Sequence, residues 1–282
     1  MVSAGQKTLY ISDLDGTLLR RDQTVSPFTA EVINALTARG MHFSYATARS
    51  IVTASKITAP LTQNIPVIVY NGTFIVENGT GHILASHEFT PEEAERILGI
   101  LAAGGVHPFV YAHIDGAERY SFSPDHMTDG MRRFHATRRD SRERAVPLSA
   151  AADGSVFHFS CIDTPERLIP LYEALRGEFP CVCYKEIYSG DHWLEIMPQG
   201  ATKADAAHTL RDMLGCTRIV AFGDGVNDIP LFEAADECYA VANADDALKA
   251  IAAGVIGSNE EDGVARWLAE HAAEVDKAII ER

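Results

Sequence analysis

The sequence predicts an α/β chain, a doubly wound, Rossmann-like parallel-sheet core interrupted by an inserted α+β domain. Three observations carry this. Short apolar runs alternate with helical patterns near both ends of the chain, the strand–helix–strand rhythm of a parallel sheet with helices on both faces. The stretch between them has a different texture, with Gly-rich turns and strands in succession. Asp13, Thr47 and Asp224 each fall just past a predicted strand, where open parallel sheets collect their ligands. The core is expected over residues 1–85 and 190–282, and the inserted domain over 86–189.

Taken in order, "KTLYIS" reads as a buried strand that ends at Asp13. "SPFTAEVINALTARG" carries the signals of a helix: Ser26 to cap it, Pro27 in the first turn, Gly40 to end it. Its apolar stripe is expected along Phe28, Val32, Ala35 and Leu36. "MHFSYAT" and "IPVIVYNG" are further strands, and "FIVENGTGHILASHEF" suggests a hairpin. In the middle segment, "TPEEAERILGILAAGG" opens with the capping box Thr90–Glu93. "TPERLIPLYEALRG" looks like a second capped helix, and "VHPFVYAHI", "SVFHFSCI" and "CVCYKEIYSGDHWLEIM" read as strands. The first rhythm then resumes with "TKADAAHTLRDMLG", "RIVAFGD", "NDIPLFEAA", "CYAVAN" and "DDALKAIAAG". "DGVARWLAEHAAEVDKAII" makes the closing helix, and no internal repeat or low-complexity segment interrupts the chain.

A length of 282 residues with 46% hydrophobic content suits one large domain or two of moderate size. No apolar run approaches the roughly 20 residues of a membrane span, so no membrane partner is expected. The opening "MVSAGQKTLYISDLDG" has no apolar signal core. The five cysteines form no C-x-x-C pair. Reduced thiols and a cytoplasmic location are therefore the expectation. A net charge of −15 argues against a nucleic-acid binder. One segment departs from it: "RRFHATRRDSRER", residues 132–144, carries six arginines against two acids. It reads either as a solvated helix face or as a basic lip for an anionic substrate.

The chemistry lies in "LYISDLDGTLL" and its counterparts. Asp13 and Asp15, with Asp224 and Asp228, bring several negative charges toward one crevice. Carboxylates so placed repel each other, and they coexist if a hard divalent cation such as Mg²⁺ sits among them. Gly16 lets the backbone approach an anion, and the N–H groups after Asp13 suit a phosphate nest. Thr47 supplies a hydroxyl, Lys203 a positive charge and Asn227 an amide donor. These types together suggest phosphoryl transfer. Other candidates are weaker. Asn71 in "YNG" reads as a turn residue, His192 and Trp193 as packing, and "GDGVND" lacks the dinucleotide fingerprint. No helical H-x-x-x-H spacing suggests zinc.

"DLDGTLL", "TAR" after a strand, Lys203 in "PQGATKADA" and "FGDGVNDIPLF" resemble the four ordered motifs of the haloacid dehalogenase-like phosphatase superfamily. The large insertion and the later "NA" and "DDALK" resemble its Cof-type sugar-phosphatase branch, which has an α/β cap. The resemblance implies that Asp13 is the nucleophile and Asp15 the proton-transfer residue. It implies that Thr47, Lys203 and Asn227 hold the phosphoryl group. Mg²⁺ would be bound by the Asp13 side chain, the Asp15 carbonyl and Asp224, with Asp228 steadying the site. Two departures stand out: Ala48 replaces a common Gly, and Pro230 lies early in the helix after the fourth motif, where proline is tolerated. The implied function is a Mg²⁺-dependent phosphatase of small phosphorylated metabolites, sugar phosphates foremost. A sugar phosphomutase and a non-catalytic phosphosugar-binding protein are the alternatives.

Overall fold

The computed structural model describes residues 7–62, 65–137 and 140–280, the side chains of 272–280 excepted. The chain forms two compact units, one from the residues up to Ser86 together with those from Thr202 onward, the other from His87–Ala201.

The first unit begins with β1 (Thr8–Ser12), α1 (Pro27–Ala38), β2 (His42–Tyr45), α2 (Ile51–Ile57), β3 (Val67–Val69), β4 (Phe74–Val76) and β5 (Ile83–Ser86). The second contains α3 (Pro91–Ala103), β6 (Phe109–Ile114), β7 (Ala117–Phe122), α4 (Asp129–Thr137), β8 (Glu143–Ala145), β9 (Ser155–Asp163), α5 (Pro165–Leu175), β10 (Cys181–Lys185) and β11 (His192–Ile196). The first unit is completed by α6 (Lys203–Met213), β12 (Arg218–Gly223), α7 (Ile229–Ala234), β13 (Glu237–Val241), α8 (Asp246–Ile251), β14 (Gly254–Ile256) and α9 (Gly263–Ile280).

The core sheet runs β14-β13-β12-β1-β2, and all its neighbours are parallel. A parallel bridge from Ala46 to Ile68 brings β3 alongside β2. The chain winds from β1 toward β2 in one direction and returns on the other side through β12, so the strand order reverses at the β1–β12 pair. The carboxyl ends of such a pair open a crevice that no connecting loop crosses. Strand β1 is buried along its whole length, as a central strand covered on both faces must be.

Helix α1 starts as expected: the Ser26 hydroxyl accepts a hydrogen bond from the Thr29 N–H and Pro27 sits at the first position, a cap worth about 1 kcal/mol. Its buried face differs from the expected stripe. Thr29, Ala30, Ile33, Leu36 and Thr37 are buried, whereas Phe28 and Ala35 are exposed. The helix packs against α9, and Phe28 is instead covered by the Arg266 guanidinium, 5.0 Å from the ring centroid. The aromatic ring therefore lies on a flank, where a cation can stack on it.

In the second unit the sheet order is β10-β11-β9-β6-β7-β8, antiparallel except for β7–β8. Ile97, Leu101, Leu168 and Leu175 of α3 and α5 share an apolar core with Val110, Phe159, Cys161 and Leu194 of the sheet. The Thr90–Glu93 capping box is formed. Thr164 occupies the N-cap position of α5 without a side-chain cap bond. The return to the core, expected at residue 190, lies further on. Strand β11 hydrogen-bonds to both β9 and β10, so 190–201 belong to the second unit. Two alternating strands flanking a turn look alike whichever sheet receives them, and only the pairing decides. All five cysteines are free. No helix among the described residues is long and apolar enough to cross a membrane.

Candidate active site

Each loop of the site leaves a sheet strand at its carboxyl end. Asp13 follows β1 and is 5% exposed, its N–H bonded to the Phe222 carbonyl at 2.9 Å. Asp224 follows β12 and accepts a hydrogen bond from the Thr17 hydroxyl at 2.8 Å. Asp228 is fully buried, and its Oδ2 accepts the N–H groups of Asp224 and Gly225, both at 3.1 Å. Lys203 is the first residue of α6, whose N-cap Thr202 accepts the Asp205 N–H. The Lys203 ammonium is 2% exposed and donates to Asp13 Oδ1 and Asp228 Oδ1, each at 2.6 Å.

Two glycines are required by this crowding. Gly16 has φ +79°, and a Cβ there would lie 2.2 Å from the Asp224 carboxylate. Gly72 has φ +108°, and a Cβ would meet the Thr202 carbonyl at 2.1 Å. The "YNG" loop is therefore wedged under the start of α6. Asn71 is a turn residue, as expected, and a buried one: it is left-handed at φ +54° and donates its N–H to the Thr47 carbonyl at 2.9 Å.

Carboxylate oxygens of Asp13, Asp224 and Asp228 lie within 4.8 Å of one another. Burial pushes the Asp13 carboxyl well above the usual range, Lys203 pulls it down, and Asp228 and Asp224 raise it again. Burial and Asp228 push Asp224 up to about 7. Burial lowers the Lys203 ammonium, but Asp13 and Asp228 outweigh this and hold it above its ordinary value. Three carboxylates around one ammonium leave an excess of negative charge, and a hard, oxygen-seeking divalent cation fits that donor set.

Among the sequence-predicted residues, Asp13, Lys203, Asp224 and Asp228 are brought into direct contact or close approach. Thr47 and Asn227 make no side-chain hydrogen bond to these four among the described residues. The Thr47 hydroxyl, at the end of β2, accepts the Arg49 N–H at 3.2 Å. Asn227 sits on the 3₁₀ turn Val226–Asp228. The Asp15 carboxylate is turned to Arg49, which donates Nε to Oδ2 at 2.7 Å and Nη2 to Oδ1 at 2.6 Å. Thr17, Arg49 and Asn243, whose amide donates to the Gly16 carbonyl at 2.7 Å, have site roles that the sequence reading left unassigned. Thr17 stood two residues past Asp15 in a loop already marked, and that adjacency was the available signal.

The arginine-rich segment is largely paired within its own unit. Arg133 pairs with Asp191, Arg142 with Glu118 and Asp140, and Arg144 with Asp153. Arg132 donates to the Met127 carbonyl. Arg138 and Arg139 lie outside the described residues. Trp193 is buried and packs edge-on against Phe134 at 4.8 Å.

A family model for haloacid dehalogenase-like hydrolases matches residues 10–268. The chain belongs to that family. A protein of Haemophilus influenzae named as a putative phosphatase is 29% identical over 92% of this chain and 96% of its own. A 5-amino-6-(5-phospho-D-ribitylamino)uracil phosphatase of Bacillus subtilis is 29% identical over 93% and 97%. The crystal structure of a Thermotoga maritima protein superposes with a TM-score of 0.73 at 25% identity, covering 94% of this chain and 97% of the other. The family hydrolase has the parallel-sheet core and the inserted α/β unit expected of the Cof-type branch.

Proposed function

We propose that this enzyme, a phosphoric monoester hydrolase acting on small phosphorylated metabolites, takes sugar phosphates and works through an aspartyl-phosphate on Asp13. The observation that carries the reading is the Lys203 ammonium held 2.6 Å from both Asp13 and Asp228. An anionic nucleophile must approach an anionic phosphoryl group, and a buried cation beside it offsets that repulsion. The relative that acts on a phosphorylated ribityl chain supports a polyhydroxy substrate.

An Asp13 oxygen attacks phosphorus as the ester P–O bond breaks, and Asp15 gives a proton to the departing alkoxide. Water then attacks the aspartyl-phosphate, Asp15 takes its proton, and inorganic phosphate leaves with Asp13 restored. Lys203, Thr47 and Asn227 hold the phosphoryl oxygens. The Asp13 and Asp224 carboxylates and the Asp15 carbonyl would hold Mg²⁺, with Asp228 steadying the set. When bound, Mg²⁺ supplies charge neutralisation and orients the phosphoryl group. Five free cysteines support a reducing, cytoplasmic setting.

The test uses a panel of sugar phosphates with Mg²⁺ and product analysis. Free phosphate with unphosphorylated sugar supports the reading, and an isomeric sugar phosphate would make the enzyme a mutase. Asp13→Asn should abolish turnover in a folded protein, because an amide is a poor nucleophile toward phosphorus. Asp15→Asn should slow phosphorylation by sugar phosphates by about 10²–10⁴-fold and by p-nitrophenyl phosphate much less, since nitrophenolate leaves without a proton. An active Asp13→Asn enzyme rules out the nucleophile assignment.

A further inference from the structure

We infer that Arg49 and Gln23 together position Asp15 for proton transfer, a role that rests on the reading of Asp15 above. The guanidinium grips both oxygens of the Asp15 carboxylate, at 2.7 and 2.6 Å, and its Nη2 also donates to Gln23 Oε1 at 2.8 Å. A bidentate fork fixes the plane of a carboxylate as well as its distance. Asp15 needs such a restraint. Its backbone is non-helical and is followed by Gly16 in the left-handed region, and its side chain is about a quarter exposed. A short acid side chain in that setting has several rotamers open to it.

Arg49 is itself held from two sides. Its N–H donates to the Thr47 hydroxyl and its carbonyl accepts the Tyr70 N–H at 3.1 Å, so the β2 and β3 loops set the start of the side chain. Gln23 sets the far end. It lies in a closed loop where the Arg20 N–H donates to the Thr24 carbonyl at 3.0 Å and the Gln23 N–H to the Arg20 carbonyl at 2.8 Å. Asp22 accepts the Thr24 N–H at 3.0 Å and tightens the same turn. Gln23 adopts φ +60° there, a conformation that strains any side-chain-bearing residue other than the occasional Asn or Asp. Strain retained at a residue whose amide oxygen holds the guanidinium paired with Asp15 is the pattern expected of a functional site.

A partly buried ion pair is by itself weak evidence of stabilisation, so the worth of this one lies in orientation. Two bonds from one planar cation keep the carboxylate aimed at a single position. Each carboxylate oxygen that accepts one guanidinium N–H keeps a second lone pair for the transferred proton, and the bond to Gln23 holds the guanidinium in place. Arg49 and Gln23 are positioning residues: they act through Asp15 and are not placed on the reacting atoms.

The experiment is a set of double-mutant cycles read on the first chemical step, with the Mg²⁺-loaded enzyme and both an alkyl phosphate and p-nitrophenyl phosphate. Arg49→Ala should lower the rate with the alkyl phosphate by about 10²-fold, the usual loss for a misplacement near 1 Å. KM should move little, and the loss with p-nitrophenyl phosphate should be much smaller. Arg49→Lys should recover part of the rate, because an ammonium restores the charge but not the fork. Gln23→Ala should show the same pattern with a smaller loss. In the Asp15→Asn background both substitutions should be nearly silent, since the group they orient is gone. As a readout independent of turnover, the Arg49 Nε–H resonance of the metal-free protein should be sharp and exchange-protected, shift in Gln23→Ala and lose protection in Asp15→Asn. Additive losses in the Asp15→Asn background, or a loss confined to KM, overturn the proposal and give Arg49 a direct contact with substrate. An Asp15→Asn enzyme that keeps its full first-step rate is a separate outcome: it overturns the proton-transfer reading itself. If Arg49→Ala does not fold, Arg49→Lys and Gln23→Ala carry the same cycles.

Discussion

Lys203→Met is the substitution whose consequences the structure specifies most fully. Methionine retains most of the buried stem and removes the ammonium. Lys203 is 2% exposed and bonds Asp13 and Asp228 at 2.6 Å, so both carboxylates lose their shared cation in a buried setting. Removing one partner of a buried ion pair costs about 3–5 kcal/mol, because the remaining charge is uncompensated. At about 2–4 °C per kcal/mol for a unit of this size, the melting temperature of the metal-free protein at pH 8 should fall by about 10 °C. The pH dependence identifies the cause. Without Lys203, which pulls the Asp13 carboxyl down, the folded-state value of Asp13 rises further above its unfolded value. The folded variant then binds more protons than its unfolded chain across that interval, and its stability falls as pH rises. The deficit relative to wild type should therefore shrink as pH is lowered from 8 to 5. Asp13→Asn in the Lys203→Met background should recover part of it for the same reason. Calorimetry or thermal melts followed by circular dichroism at several pH values give the measurement. A deficit that is equal at pH 5 and pH 8, and indifferent to Asp13→Asn, would refute the electrostatic account and assign the loss to packing.

The raised pKa of Asp224 also predicts the behaviour of the metal-free wild type. Asp224, pushed up to about 7 in the folded state against an ordinary value of 3.8, should make stability fall with rising pH across that interval, by about 1.4 kcal/mol per pH unit. Asp224→Asn should flatten this slope, and Mg²⁺ should raise the melting temperature in wild type but much less in Asp224→Asn; identical pH slopes in the two proteins would count against the cluster as the source. Gly72→Ala combines φ +108° with a 2.1 Å approach of the new Cβ to the Thr202 carbonyl. It should destabilise by more than about 1 kcal/mol and lower kcat by displacing the start of α6. A wild-type melting temperature and kcat in that variant would show the loop free of α6.

The core sheet and the principal acids were legible because their signals are local. An apolar run such as residues 8–12 reports its own burial, and Asp13 and Asp224 stand one residue past such runs. Capping by Ser26 and by Thr90 with Glu93 was equally readable, since a cap involves residues three apart. What the sequence left open depends on partners far away along the chain. The face that α1 buries was decided by packing against α9, which leaves Phe28 on a flank under the Arg266 guanidinium. The assignment of 190–201 was decided by the pairing of β11 with β9 and β10. The fork from Arg49 to Asp15 spans 34 positions and the Lys203–Asp13 contact 190. No periodicity records such pairs, because their geometry exists only once the strands that carry them are side by side. Residue types and strand ends could name the chemistry, but only the folded loops could decide which carboxylate meets the lysine and which meets the arginine.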